Sequence, residues 1–186
     1  MSTIDTAEGN RRDFLYIATG AVGGVGAILA VWPFIDQMNP DASVLALASV
    51  EVDLEKVEEG QSITVKWRGN PVFVRHRTAK EIEEARATPL SDLPDPLARN
   101  ANLGDNAPAS DENRVIEGKE QYLVQMGVCT HLGCVPLGEA GEFDGWFCPC
   151  HGSHYDSAGR IRKGPAPENL HIPKYKYLAD QRIQIG

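Results

Sequence analysis

The sequence predicts a mainly β protein: an antiparallel β-sheet head with a helix–loop insertion, tethered to one N-terminal transmembrane helix. Three observations predict it. Phe14–Ile35 runs for 22 residues without a charged side chain. From residue 50 onward, short runs alternate apolar and polar residues between turn signals. One helical pattern interrupts them, a capping box of Thr78 and Glu81 ahead of Ile82 and Ala85. At 186 residues the chain is ample for one domain with a real core. Hydrophobic residues at 42% and charged residues at 24% exclude a multi-span membrane protein, a collagen-like chain and a wholly disordered one. A formal charge of −8 argues against nucleic acid as a partner.

The apolar run comes first along the chain. At about 1.5 Å per residue, Phe14–Ile35 reaches roughly 33 Å, enough for a hydrocarbon core. Tyr16 and Trp32 near its ends suit interfacial aromatic belts. Gly20, Gly23, Gly24 and Gly26 weaken a helix in water. In lipid they are either tolerated small residues or, at the Gly20–Gly24 spacing, a packing face for another helix. Arg11–Arg12–Asp13–Phe14–Leu15 resembles the twin-arginine export signal, with residues 1–13 as its N-terminal part. Ala46–Leu47–Ala48 has the small-x-small form of a cleavage site. It lies well beyond the apolar run, which itself exceeds the roughly 7–15 residues of a signal-peptide core, so an uncleaved anchor over 14–35 is expected. Arg11 and Arg12 are the only basic residues before Lys56. The positive-inside rule then places the N-terminus in the cytoplasm and the rest of the chain outside.

A tether over 36–49 follows. Asp36–Gln37–Met38–Asn39–Pro40–Asp41 breaks the helix, and Ala42–Ser49 reads as a hinge, a short helix or the way into a first strand. The head occupies 50–186. Ser62–Trp67 sends Ile63, Val65 and Trp67 to one face; Arg68–Gly69–Asn70–Pro71 turns; Val72–Arg75 returns. Gln121–Met126 and Arg182–Ile185 also read as strands. Residues 88–113 hold Pro89, Pro94, Pro96 and Pro108 without periodicity, which marks a segment that covers something or moves.

The chemistry lies in two loops within 128–156, Cys129–Thr130–His131–Leu132–Gly133–Cys134 and Cys148–Pro149–Cys150–His151–Gly152–Ser153–His154–Tyr155. Without Cys134 and Cys150 the pattern is C-x-H, sixteen residues, then C-x-x-H. A closed zinc site of two cysteines and two histidines is one reading. However, each loop supplies one ligand of each kind, which suits two metal ions with different ligation. A Rieske 2Fe–2S cluster needs that arrangement, one iron on two thiolates and the other on two imidazoles.

On these two motifs the chain resembles the Rieske iron–sulfur subunits of bacterial cytochrome bc complexes, and the resemblance extends over anchor, tether and a Rieske-type head. It implies that Cys129 and Cys148 bind the inner iron of one 2Fe–2S cluster, and His131 and His151 the outer iron. It implies a disulfide between Cys134 and Cys150, compatible with an oxidising compartment. It gives Ser153 and Tyr155 hydroxyls that donate to a cluster sulfide and a ligand sulfur, and makes Gly164–Pro165–Ala166–Pro167 a stiff loop over the cluster. His76, His154 and His171 lack ligand spacing and read as structural or exposed. Two ferric ions, two sulfides and two thiolates sum to zero charge, whereas four thiolates leave −2. Histidine ligation therefore raises the potential, to about −150 to +300 mV against about −400 mV for plant-type ferredoxins. The resemblance further implies a subunit of quinol:cytochrome c oxidoreductase in the bacterial inner membrane, with a periplasmic head. Its partners would be cytochrome b, a membrane-bound c-type cytochrome and ubiquinol, in a dimeric complex. His151 would face the quinol. The Rieske subunit of another exported oxidoreductase, such as an arsenite oxidase, is the alternative.

Overall fold

The computed structural model describes residues 10–41, 44 and 48–186. The start of the export signal and most of the Ala42–Ser49 reading, including Ala46 and Leu47 of the small-x-small triplet, lie outside the described residues.

Two compact units divide the chain near residue 45. Among the described residues, the first is built on the helix α1 (Arg11–Asp36), four residues longer than the uncharged run. Its start is set by a cap: Asn10 accepts from the amides of Arg12 and Asp13, while Asp13 accepts from the Asn10 amide. The two arginines of the export motif thus lie in the first turn. The 26 residues span about 39 Å. Phe14, Ile17, Leu29 and Phe34 are all exposed, on a helix long and apolar enough to cross a membrane.

The head consists of three antiparallel sheets. Strands β1 (Val50–Asp53), β9 (Tyr175–Ala179) and β10 (Arg182–Ile185) form one, in the order β1-β10-β9, closing the two ends of the head against each other. The chain enters at Ala48, whose carbonyl accepts from the Trp67 indole at 2.8 Å, and at Ser49, which accepts from Gln184 at 3.2 Å. The second sheet orders β2 (Ser62–Trp67), β3 (Asn70–His76) and β4 (Tyr122–Met126). The expected face of β2 is the observed one: Ile63, Val65 and Trp67 are half-buried between exposed neighbours. The turn is shorter than expected. Arg68 and Gly69 both take positive φ, 48° and 84°, so two residues reverse the chain and Asn70 already pairs with Trp67. Strand β3 is central and buried from Val72 to Arg75.

The third sheet orders β5 (Leu137–Ala140), β6 (Asp144–Cys148), β7 (Ser153–Asp156) and β8 (Ile161–Lys163). It went unread in the sequence because its strands are short and carry Gly, Asp and Cys rather than alternating β-branched residues. Phe73 of β3 stacks on Trp146 of β6 with ring centroids 6.4 Å apart, joining the second and third sheets in one core.

The insertion begins with α2 (Ala79–Ala87), capped as read: Glu81 N donates to Thr78 Oγ1, and Thr78 N donates to the Glu81 carboxylate. Residues 88–113 are a covering segment. Asp95, Ala98, Ala109 and Asp111 are buried, and Leu97 bridges Pro108 while Asn100 bridges Ile172.

Candidate metal centre

The two cysteine–histidine loops meet at one end of the head. The first, 129–134, joins β4 to β5 and so crosses from one sheet to another. The second, 149–152, is the hairpin between β6 and β7, whose Cys148 pairs with Ser153. Each closes by the same backbone device. Gly133 N donates to Cys129 O at 2.9 Å, and Gly152 N donates to Cys148 O at 3.0 Å. Both glycines take positive φ, 83° and 75°, which a side chain disfavours. Each loop thereby curls around its own cysteine.

Cys134 and Cys150 are joined by a disulfide across 16 residues, tying one loop to the other. Cys129 and Cys148 are buried free thiols. The Cys148 sulfur also lies within 4.8 Å of the disulfide sulfurs. Those two are bonded to each other, so the three do not make a metal site of their own. The rings of His131 and His151 stand edge to face with centroids 4.6 Å apart; His131 is half-buried and His151 exposed. His131 Nδ1 is buried and has no protein hydrogen-bond partner. A buried ring nitrogen left so is costly unless something else occupies it. Two free thiols, two adjacent imidazoles and that orphaned nitrogen form a donor set that fits a metal cluster of mixed sulfur and nitrogen ligation.

Hydroxyls surround the sulfurs. Tyr155 OH donates to Cys129 Sγ at 3.3 Å, and Ser153, fully buried at the start of β7, pairs across the hairpin with Cys148. Burial pushes the Cys129 thiol up, but Tyr155, the His131 amide, Cys148 and Ser153 together bring it below the ordinary thiol range. Burial and the contact with Cys129 both push Cys148 up, so Cys129 ionises first. Burial also raises the Tyr155 phenol, which keeps it a donor.

The proline loop lies against the second loop. A Cβ on Gly164 would come within 2.6 Å of the Ser153 Cα, and Ala166 N donates to Ser153 Oγ at 3.2 Å. Thr130 was missed as a functional residue although it stands inside the first motif. Its Oγ1 donates to Glu168 O at 2.7 Å and accepts from Glu168 N at 3.3 Å, clamping the first loop to the segment that follows the proline loop. The signal was a hydroxyl between two ligand candidates, but its partner is 38 residues away. The other histidines stay outside the centre. His76 Nδ1 meets Val57 O at 2.8 Å, His154 Nδ1 accepts from Glu142 N, and His171 pairs with Glu168.

Residues 92–176 match the family described as Rieske [2Fe-2S] domain, and residues 1–41 match Ubiquitinol-cytochrome C reductase Fe-S subunit TAT signal. Among relatives, the ubiquinol-cytochrome c reductase iron-sulfur subunit of Cereibacter sphaeroides is 56% identical over the whole of both chains. That of Rhodospirillum rubrum is 59% identical over 96% of this chain and 93% of its own. Among solved structures, a chain of a hyperthermophilic respiratory complex III is 26% identical, with a TM-score of 0.53 over 90% of this chain and 98% of that one.

Proposed function

The chain belongs to the Rieske iron–sulfur subunits of ubiquinol-cytochrome c reductase, a family that binds one Rieske 2Fe–2S cluster, and from that premise we propose how its head works. The head carries one electron from ubiquinol, oxidised beside cytochrome b, to a membrane-bound c-type cytochrome. The observation that carries this reading is the meeting of two buried free thiols with two imidazoles, one of them exposed, at one end of the head.

Cys129 and Cys148 would hold one iron and His131 and His151 the other. When bound, the cluster supplies one-electron acceptance and release at a potential raised by its imidazole ligands. Tyr155 directs its hydroxyl hydrogen toward sulfur, and Ser153, opposite Cys148, would add a second donor, favouring the more negative, reduced state. His151, exposed at the tip, takes the quinol-facing place, where its free ring nitrogen accepts a proton as the electron arrives. Leu132 in the first loop and Val135 just after it, 71% and 52% exposed, offer an apolar contact for the quinol-binding partner.

The rest of the chain serves delivery. Residues 14–35 anchor the subunit in the bacterial inner membrane with the head, 50–186, on the periplasmic side, after export directed by Arg11 and Arg12. Residues 36–49 are the tether on which the head moves between its two partners, within a dimeric complex.

Redox-titrated EPR on membranes tests the reading. A reduced-cluster signal that shifts when a quinol-site inhibitor is added is expected. Tyr155→Phe lowers the midpoint while leaving the signal present. A silent spectrum, or a signal indifferent to the inhibitor, would refute the role.

A further inference from the structure

The insertion between β3 and β4 reaches the cluster end of the head through buried polar contacts that the proposed chemistry does not use. Asn169 is fully buried and places both side-chain amide hydrogens on that insertion. Its Nδ2 donates to Asp95 O at 3.1 Å and Leu97 O at 2.8 Å, and its Oδ1 accepts from Ile161 N at 2.8 Å. Its backbone N–H donates to the Asp95 carboxylate at 2.9 Å. Asp95, 2% exposed, also accepts from Leu97 N and from the Arg99 guanidinium at 2.9 and 3.2 Å. Arg99 extends to Glu168 at 3.0 Å. One residue further on, Leu170 O accepts from buried Arg114 at 2.7 Å, and Arg114 also donates to Ala98 O and Ala158 O.

Every one of these bonds ends on the segment 164–170 or on the insertion that grips it. That segment touches the centre at two points, Ala166 N on Ser153 Oγ and Glu168 on Thr130. A hydroxyl oxygen that accepts from Ala166 N has one lone pair committed, so its own hydrogen turns elsewhere. Ser153 is fully buried and stands opposite the proposed ligand Cys148 across the β6–β7 pairing.

We propose that Asp95 and Asn169 are positioning residues for electron acceptance: through the insertion they hold residues 164–170 so that Ala166 N aims the Ser153 hydroxyl at the cluster side. The inference rests on the ligand reading above and adds to it a control located more than thirty residues before the first ligand.

The sign of the effect separates positioning from simple charge. Removing the Asp95 carboxylate takes away a negative charge, which by Coulomb's law makes an electron easier to accept and raises the midpoint. Loosening Ser153 does the opposite. Asn169→Ala removes no charge and breaks only the grip. The experiment compares the native complex with Asn169→Ala, Asp95→Asn and Thr78→Ala, the last loosening α2 at its cap without touching 164–170. Midpoints come from redox-titrated EPR, and amide deuterium exchange is read at Ala166 and Glu168 in the oxidised complex.

Expected are faster exchange at both amides and a lower midpoint in Asn169→Ala and Asp95→Asn. Electron acceptance falls about threefold, equivalent to about 28 mV at about 59 mV per tenfold for one electron. Thr78→Ala lowers the melting temperature and leaves the midpoint alone. If Asn169→Ala does not assemble, Asp95→Asn alone decides by its sign. An unchanged or raised midpoint overturns the positioning role, as does an equal fall in Thr78→Ala. A native complex with no reduced-cluster signal would instead overturn the ligand reading, and the positioning role with it.

Discussion

The two loops that meet at the centre look alike in sequence and are held in different ways. The second loop is a hairpin within one sheet, and its cysteine already pairs across to Ser153. Strands fix it at both ends. The first loop leaves β4 in one sheet and enters β5 at the edge of another, and its ends are joined only by a local bond, Cys129 N donating to Cys134 O at 2.8 Å, with no strand ladder behind it. Its position depends on side-chain bonds from elsewhere: the disulfide to Cys150 and the Thr130 clamp on Glu168. Similar motifs therefore do not have similar rigidity. What ladder hydrogen bonds supply to one loop, a covalent bridge and a distant hydroxyl contact supply to the other.

Removing the bridge tests that contrast most severely. Changing both Cys134 and Cys150 to Ala frees a loop of 16 residues, a size for which a cross-link contributes about 3 kcal/mol. Thermal unfolding of the isolated variant complex should show a loss of that order. Amide exchange should rise at 129–134 far more than at 149–152, and equal loosening of both loops would break the comparison.

Thr130→Val sharpens it at smaller scale. The isostere keeps volume and removes two bonds to Glu168, each contributing about 1 kcal/mol, so a loss of roughly 1–2 kcal/mol confined to the first loop is expected. Denaturant melts give the magnitude, and exchange at Gly133 against Gly152 gives the location.

The smallest effect probes what the loops share. Gly133→Ala and Gly152→Ala meet no atom within 4 Å, so each substitution costs only the left-handed backbone, about 1 kcal/mol. Matching losses from the two variants in chemical denaturation would confirm a common loop geometry; unequal ones would tie the difference between loops to the backbone itself.

Much of the fold was legible where physics is local. The capping box at Thr78, the alternation of β2 and the uncharged span of α1 each depend on neighbours a few residues apart. The capping box at Asn10 and Asp13 was equally local but was obscured by the more conspicuous arginine pair beside it. The strands β5 to β8 were illegible for a different reason. Their residues suit a tight, partly bulged sheet packed behind a metal centre, and their pairing shifts register at Gly138, Asp144 and His154. Alternation cannot survive such shifts.

The sequence by itself determined the long apolar helix, the β character of the head and the set of four sulfurs and two imidazoles from which a centre can be made. Those depend on composition, period and ligand chemistry, which a linear reading contains. Only the tertiary structure decided that residues 88–113 are a buttress, that Asn169 grips Asp95 from 74 positions away, and that Thr130 clamps the cover. Buried polar groups must find partners wherever the packed chain places them, and that distance is invisible until the chain has folded.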